Sequence, residues 1–447
     1  MIKTKLITLI IASCLAALPV FAQAVLLKNA TVIDGNGKTP QQHTDILILA
    51  DTIAAIGKGL QHPGAVVTDL SGKTVMPALI SAHVHVGVLK GTGTAASNYT
   101  RENIIRQLRK YEDYGVSHVL TMGTDRPLIF ETGIRDSSLA GLLPGARYHA
   151  SGYGFNTPMA SMPPDFWMDL LYRPATAAAV GPQMDALAKV HPAVVKMWVD
   201  DFGGSAKKMD PAICKAIIDQ AHRHHLRAAA HLYYLEDAHK LVAGGLDIIA
   251  HSIRDKEVDQ SLLSEMKKKG VIYIPTLSLD EFAYIYARQP DWINDDFFKA
   301  SLEPGVYEMV TSTDYQQKLK NAPAYDKNVA AFETALRNVK KIHDAGIIIA
   351  LGTDSGASPV RTQGFSEHLE LELLVQAGLT PLQAITAATK NAARALQISA
   401  KSGTLAKGKT ADLIILSANP EQDIKNTRKI IAVYKAGQLV SNGPLSK

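Results

Sequence analysis

The sequence predicts an α/β fold: a (β/α)8 TIM barrel with a small β-sandwich domain built from both chain ends. Three observations point there. Between residues 76 and 401, eight apolar strand-like runs alternate with helical patterns, the count of a (β/α)8 barrel. Two β-rich stretches, 25–75 and 402–447, flank that middle. Six polar residues, His83, His85, Lys196, His231, His251 and Asp354, each close one of the apolar runs.

The bulk numbers fit this reading. A chain of 447 residues with 47% hydrophobic and 20% charged residues has an ordinary globular composition and enough apolar material for a large core. Its formal charge of +5 is small for the length, and the basic residues are spread along the chain. This argues against a nucleic-acid partner. At the N-terminus, Lys3 and Lys5 precede the apolar run 6–21, and Ala22-Gln23-Ala24 follows as a small-x-small cleavage pattern. Residues 1–24 therefore read as a signal peptide, with export to the periplasm or medium. The run is too short for a stable membrane span of roughly 20 residues. Ile11-Ala12-Ser13-Cys14 resembles a lipobox, but the apolar stretch before Cys14 is short, so lipid anchoring is the lesser alternative. Cys214 then stands alone, which rules out an internal disulfide, and its helical context reads as a half-buried small hydrophobe.

In the flanks, VLLKNATVID, TDILILADTIAAIG and ADLIIL alternate between turns such as Asp34-Gly35-Asn36-Gly37. In the middle, strands are expected at 74–85, 117–123, 146–152, 194–200, 227–233, 247–253, 271–277 and 347–353. Helices are expected at 101–114, 210–225, 235–244, 261–269 and 327–345. Right-handed crossovers then bring every strand C-terminus to one face. Two long connections, 154–185 and 278–326, carry many aromatics, among them Phe155, Phe166, Trp167, Tyr284, Tyr286, Trp292, Phe297, Phe298 and Tyr307. Loops of this length read as lids over the catalytic face.

The six strand-end residues carry the chemistry. His83 and His85 are spaced i, i+2, so on a strand both imidazoles face the same side and can share one ion. His231 and His251 each close an apolar strand one helix apart, and Asp354 precedes Ser355-Gly356, where the chain can turn sharply. Imidazole and carboxylate suit Zn²⁺ or its neighbours. Lys196 is the odd member, because an ammonium inside an apolar strand is costly unless modified or paired. As a neutral amine it can react with CO2 to give a carbamate, an anionic and bidentate group able to bridge two cations. A lone HxH, a lone lysine or a lone TDSG would each be weak evidence. The weight lies in all six closing barrel strands in order.

That order, within a barrel flanked by a split β-domain, resembles the amidohydrolase superfamily, in particular the binuclear type with prolidase-like, imidazolonepropionase-related dipeptidases. MPALISAHVH at 76–85 matches the opening segment of the family and GTLAKGKTADL at 403–413 its closing signature; Ala78 and Ser81 stand where the family usually has Gly and Asp. The resemblance implies two divalent metal ions, zinc being the expected one. His83, His85 and Asp354 would hold the first, His231 and His251 the second, with carboxylated Lys196 and a hydroxide bridging them. It also implies attack of that hydroxide on an amide carbonyl, with Asp354 passing the proton to the leaving amine. Tyr233, two residues after His231, matches a tyrosine common in the prolidase-like relatives. Tyr153 replaces a histidine in the turn Ser151-Gly152-Tyr153-Gly154. Both tyrosines are candidate catalytic and substrate-binding residues, and Arg254 is a candidate for a substrate carboxylate.

The expected function is an exported amidohydrolase cleaving a dipeptide or N-acyl amino acid, built from a leader at 1–24, a composite β domain at 25–75 and 402–447, and a barrel at 76–401. The expected partners are that small-molecule or dipeptide substrate and, at most, further copies of the chain in a homo-oligomer. A lactonase or phosphotriesterase-like esterase on the same metal centre is the alternative. A mononuclear deaminase would not need Lys196, and a non-catalytic binding protein would not be expected to keep all six ligands.

Overall fold

The computed structural model describes residues 24–157 and 168–446. The expected leader with Cys14, and Phe166 and Trp167 in the first long connection, lie outside the described residues.

One sheet draws on both ends of the chain. Strands Val25–Val32, Gln41–Leu49, Thr52–Gly57, Val66–Asp69 and Thr74–Pro77 come from the front, and Leu413–Leu416, Ile430–Lys435 and Gln438–Ser441 from the back. The two contributions meet where Thr74–Pro77 pairs antiparallel with Leu413–Leu416. The sheet then folds back on itself: Ile53 N–H donates to the Lys409 carbonyl and Gly408 N–H to that of Ile53, both at 2.9 Å. The enclosed side chains, including Leu27, Val32, Ile46, Ile48, Val75 and Leu413, form a separate core.

The single run expected at 74–85 is in fact two strands. Pro77 has no N–H to continue a ladder, and the chain changes sheet there: Thr74–Pro77 stays in the flanking sheet while Leu79–Val84 becomes the first barrel strand. The other barrel strands are Val116–Thr121, Arg147–His149, Val195–Val199, Ala228–Leu232, Ile248–Ala250, Ile272–Ile274 and Ile348–Ile349. They pair in parallel as a group of three and a group of five. Backbone hydrogen bonds join the groups at both seams. Phe155 N–H reaches the Lys196 carbonyl (2.8 Å) and Trp198 N–H that of Phe155 (3.0 Å). On the other side Ala82 N–H reaches Leu351 (2.8 Å) and Thr353 N–H reaches His83 (3.0 Å). The barrel is thereby closed, with no free edge.

Helices cover the outside. The five expected ones appear as Arg101–Asp113, Pro211–Arg223, Leu235–Ala243, Gln260–Lys269 and Tyr325–Asp344. Thr100, Asp210 and Asp259 begin three of them by accepting backbone N–H bonds. Cys214 is buried on one of these helices, and burial pushes its thiol up to about 12, as suits an inert hydrophobe.

The long connections correct the expectation of loop-like lids. Residues 278–326 fold mostly as short helices, Leu277–Phe282, Val306–Thr311 and Thr313–Lys320 among them. Their aromatics pack inward: Phe298 lies 4.8 Å from Trp292 and 4.9 Å from Phe365, centroid to centroid. Burial of aromatic area accounts for this composition. In the first connection Phe155 is fully buried as a seam of the barrel wall.

Candidate metal centre

All six strand-end residues converge at the C-terminal face of the barrel. His83 is the fifth residue of the first strand and His85 lies just past its end, with ring centroids 5.8 Å apart. Both turn Nε2 toward one oxygen of Asp354, at 3.2 Å and 2.9 Å from Oδ1. Lys196 departs from the strand-end expectation: it is the second residue of the fourth strand, 1% exposed, and reaches the centre by the length of its side chain, with Nζ 3.4 Å from His83 Nε2. The ring of His251 lies 4.5 Å from that of His83 and 4.4 Å from that of His231. His83, His251 and Asp354 each offer a ligand atom within 4.8 Å of the others.

Local backbone makes this approach possible. His251 and Asp354 both take positive φ, 78° and 57°, which swings their side chains inward from strand ends. Gly356 holds φ +84°, and a Cβ there would strike the His85 carbonyl, so the turn after Asp354 needs glycine.

The ring nitrogens divide by partner. His85 Nδ1 bonds the Thr124 hydroxyl at 2.7 Å, His251 Nδ1 the Thr276 hydroxyl at 2.9 Å, and His231 Nε2 the Asp200 carboxylate at 2.9 Å. These bonds leave His85 Nε2, His251 Nε2 and His231 Nδ1 to face a cation. Burial, reinforced by Lys196, lowers His83 to about 3, and burial also lowers His231 and His251, so these rings are neutral donors. Burial opposes the charge on Asp354, but His85, His83 and Arg361 outweigh it and hold the carboxyl well below its ordinary value. His83, His231 and His251 thus offer neutral imidazoles and Asp354 an ionised carboxylate, donors that fit a divalent metal.

Among the described residues no carboxylate makes a hydrogen bond to Lys196, and Asp354 acts on it only at longer range. Burial lowers its amine to about 7, so the neutral form is readily populated. Apart from His83, its close neighbour is the Trp198 ring, 5.2 Å from Nζ.

The expected substrate residues lie half-buried or more around this centre. Tyr153 bridges to Thr124, the residue supporting His85, and its ring packs 5.8 Å from Tyr172. Arg254 stacks over Tyr233 at 4.6 Å. Its Nε donates to Asp280 at 3.0 Å and its Nη1 to the Ser252 carbonyl at 2.8 Å. Arg254, expected to meet a substrate carboxylate, is thus already paired with a carboxylate of the chain itself.

Several site residues escaped sequence reasoning. Asp200 and Thr276 follow barrel strands, a position that could have flagged them. Arg361, whose Nη1 lies 2.5 Å from Asp354 Oδ2, comes from the turn beyond the eighth strand and carries no such signal. Glu367 is buried and accepts the hydroxyls of Ser81, Thr353 and Ser355 and the Gly364 N–H, fixing the residues on both sides of Asp354. Ser81 stands where an aspartate is usual, and a second carboxylate there would face Glu367.

Residues 74–440 match the model of the amidohydrolase family. Ochratoxinase from Aspergillus niger is 29% identical over 238 residues, 52% of this chain and 42% of that protein. Imidazolonepropionase from Deinococcus deserti is 42% identical over 107 residues, 23% of this chain and 26% of that protein. The alignments to these relatives thus span less than half of their length. Among solved structures, a putative prolidase from Bifidobacterium longum superposes with a TM-score of 0.74 at 24% identity, covering 96% of this chain and 97% of its own. A Xaa-Pro dipeptidase with bound methionine gives 0.72 at 23%, covering 93% and 99%. At these identities the superpositions show a shared fold. With the family match covering most of its length, the chain belongs to the amidohydrolase family.

Proposed function

We propose that the chain is a binuclear metal-dependent amidohydrolase, exported, that hydrolyses the amide bond of a dipeptide or N-acyl amino acid. The observation that carries this reading is Lys196: a fully buried amine beside the His83 imidazole, with no carboxylate in hydrogen-bond contact among the described residues. A chain needing only one ion has no use for it. As a free amine Lys196 can add to CO2, forming an N–C bond and losing a proton, and so become an anion suited to lie between two cations. His83, His85 and Asp354 would hold one ion and His231 and His251 the other. When bound, such a pair of ions acidifies water and polarises a carbonyl.

The chain's own residues supply the rest. Asp354, oriented by Arg361 and by the Glu367 network behind its turn, takes the proton of the attacking water and delivers it to the leaving nitrogen. Arg254 and Tyr233 would meet a substrate carboxylate, and Tyr153 would contact the substrate beside them. The Xaa-Pro dipeptidase supports the choice of an amide substrate by its name.

Metal analysis of the purified protein is expected to find close to two ions per chain, chiefly zinc; a clean value of one would overturn the bridged centre. Lys196→Ala is expected to lose at least about 100-fold in kcat/KM, with partial rescue by small carboxylic acids. A mutant with full rate would remove Lys196 from the centre. A screen of dipeptides and N-acyl amino acids beside lactones and phosphotriesters tests the bond cleaved, since turnover confined to the latter two would overturn the amide reading. N-terminal sequencing of the exported protein is expected to begin at Val25.

A further inference from the structure

Where the fourth barrel strand ends, the chain holds an aromatic ring in the open. Phe202 is 36% exposed, and its backbone lies in the left-handed region at φ +49°, which L-residues with a Cβ rarely adopt. The surrounding turn is built to keep it there. Phe202 N–H donates to Asp200 Oδ1 at 3.1 Å, and Ser205 donates to the Phe202 carbonyl at 3.0 Å. Gly203 and Gly204 follow at φ +73° and +88°. Asp201 Oδ1 accepts both the Gly203 N–H (3.1 Å) and the Tyr234 hydroxyl (2.9 Å), tying the turn to the neighbouring strand end.

The same carboxylate serves two purposes. Asp200 Oδ1 holds the Phe202 turn while Oδ2 holds His231 at 2.9 Å. The Phe202 ring consequently sits beside a metal-ligand candidate, 5.9 Å from the His231 ring and tilted 37° to it. Strain and exposed apolar area are both unfavourable, and neither contributes to the core. Strained, over-determined residues of this kind are found at ligand clamps.

We propose that Phe202 is a substrate-binding residue: a platform on which a flat apolar group, an aryl ring attached to the acyl carbonyl, stacks while that carbonyl lies at the metal centre. The inference rests on the amide-hydrolase reading and narrows its substrate class to N-aroyl amino acids. Arg254 and Tyr233, beyond the sixth and fifth strands, are left for the amino-acid half. Aromatic pairs in offset or tilted geometry favour such an occupant over an aliphatic one of similar size.

The test uses the metal-loaded full-length enzyme and two substrates with one leaving group, N-benzoylalanine and N-acetylalanine. Phe202→Ala is expected to lower kcat/KM about tenfold for the benzoyl substrate and less than about twofold for the acetyl one. Phe202→Tyr should restore the benzoyl rate to within about threefold of the parent. Equal losses on both substrates, or none, would overturn the proposal. So would an unchanged ratio accompanied by a change of oligomeric state on gel filtration, which would assign the ring to a contact between copies. Calorimetric binding of benzoate and acetate separates this inference from the reading beneath it. If the parent turns over only lactones or phosphotriesters but Phe202→Ala weakens benzoate alone by about tenfold, the amide reading fails and the aryl platform stands. If benzoate binding is unaffected, the platform fails whatever is hydrolysed.

Discussion

At the scale of single residues, what decides the chemistry is which nitrogen each histidine has left to offer. Asp200 accepts from His231 Nε2 at 2.9 Å, so the proton stays on Nε2 and the lone pair on Nδ1. Thr124 and Thr276 play the mirror role for His85 and His251 through Nδ1. These partners set tautomer and ring orientation before any ion arrives. Asp200→Ala is therefore expected to weaken the second metal about 10- to 100-fold while leaving the first nearly unchanged. Competition with a calibrated chelator, in parent and mutant, measures this directly. Equal affinities at both sites in the mutant would mean that packing alone, and not Asp200, orients His231. The six candidate residues were legible in the sequence because each lies in or just after an apolar run, whereas Arg361 was not. A cation placed by a tertiary turn leaves no periodic trace.

At the scale of elements, legibility followed burial pattern. Amphipathic helices such as Pro211–Arg223 show a 3.6-residue apolar stripe and were expected within two residues of their ends. Helix Phe365–Gln376 was not foreseen. It is buried on nearly every face and carries Glu367, His368 and Glu370 inside, so no polar face marks its period. Those acids work as tethers. The two oxygens of Glu370 accept the N–H groups of Leu277 (2.8 Å) and Ser278 (2.7 Å), the start of a helix whose N-cap position, Thr276, supports His251 instead of capping. Burial raises Glu370 to about 8, above the ordinary carboxyl value of 4.5. A folded-state pKa above the unfolded one stabilises fully below the unfolded value, and that contribution is lost as pH climbs through the folded value. Between pH 4.5 and about 8 this group should therefore erode stability by up to about 1.4 kcal/mol per pH unit. Urea unfolding across that range should show the slope in the parent, and Glu370→Gln should flatten it. An identical slope in the mutant would place the pH dependence elsewhere.

At the scale of the whole molecule, the barrel gathers ligands separated by 271 residues of chain, from His83 to Asp354, into one buried point. His83, His85, Lys196, His251 and Asp354 are all no more than 5% exposed. Burying so many polar groups is unfavourable unless something compensates, and a bound cation compensates only in the folded state, because the unfolded chain holds no such cluster. Occupancy of the centre and stability of the closed barrel are thus linked. An ion at 1,000 times its Kd adds about 4 kcal/mol to the folded state if it does not bind the unfolded chain. Stripping the ions with a chelator should lower the apparent Tm by several degrees, and returning zinc should restore it, with the midpoint rising as free metal rises. The same treatment should move the Asp200→Ala variant less if, as proposed, the centre holds two ions and the variant binds one of them weakly. A Tm indifferent to chelation, in protein shown by metal analysis to have been loaded and then stripped, would mean that the barrel pre-forms the cluster by packing alone. Hydrogen bonds among His83, His85, Asp354 and Arg361 would then be compensation enough.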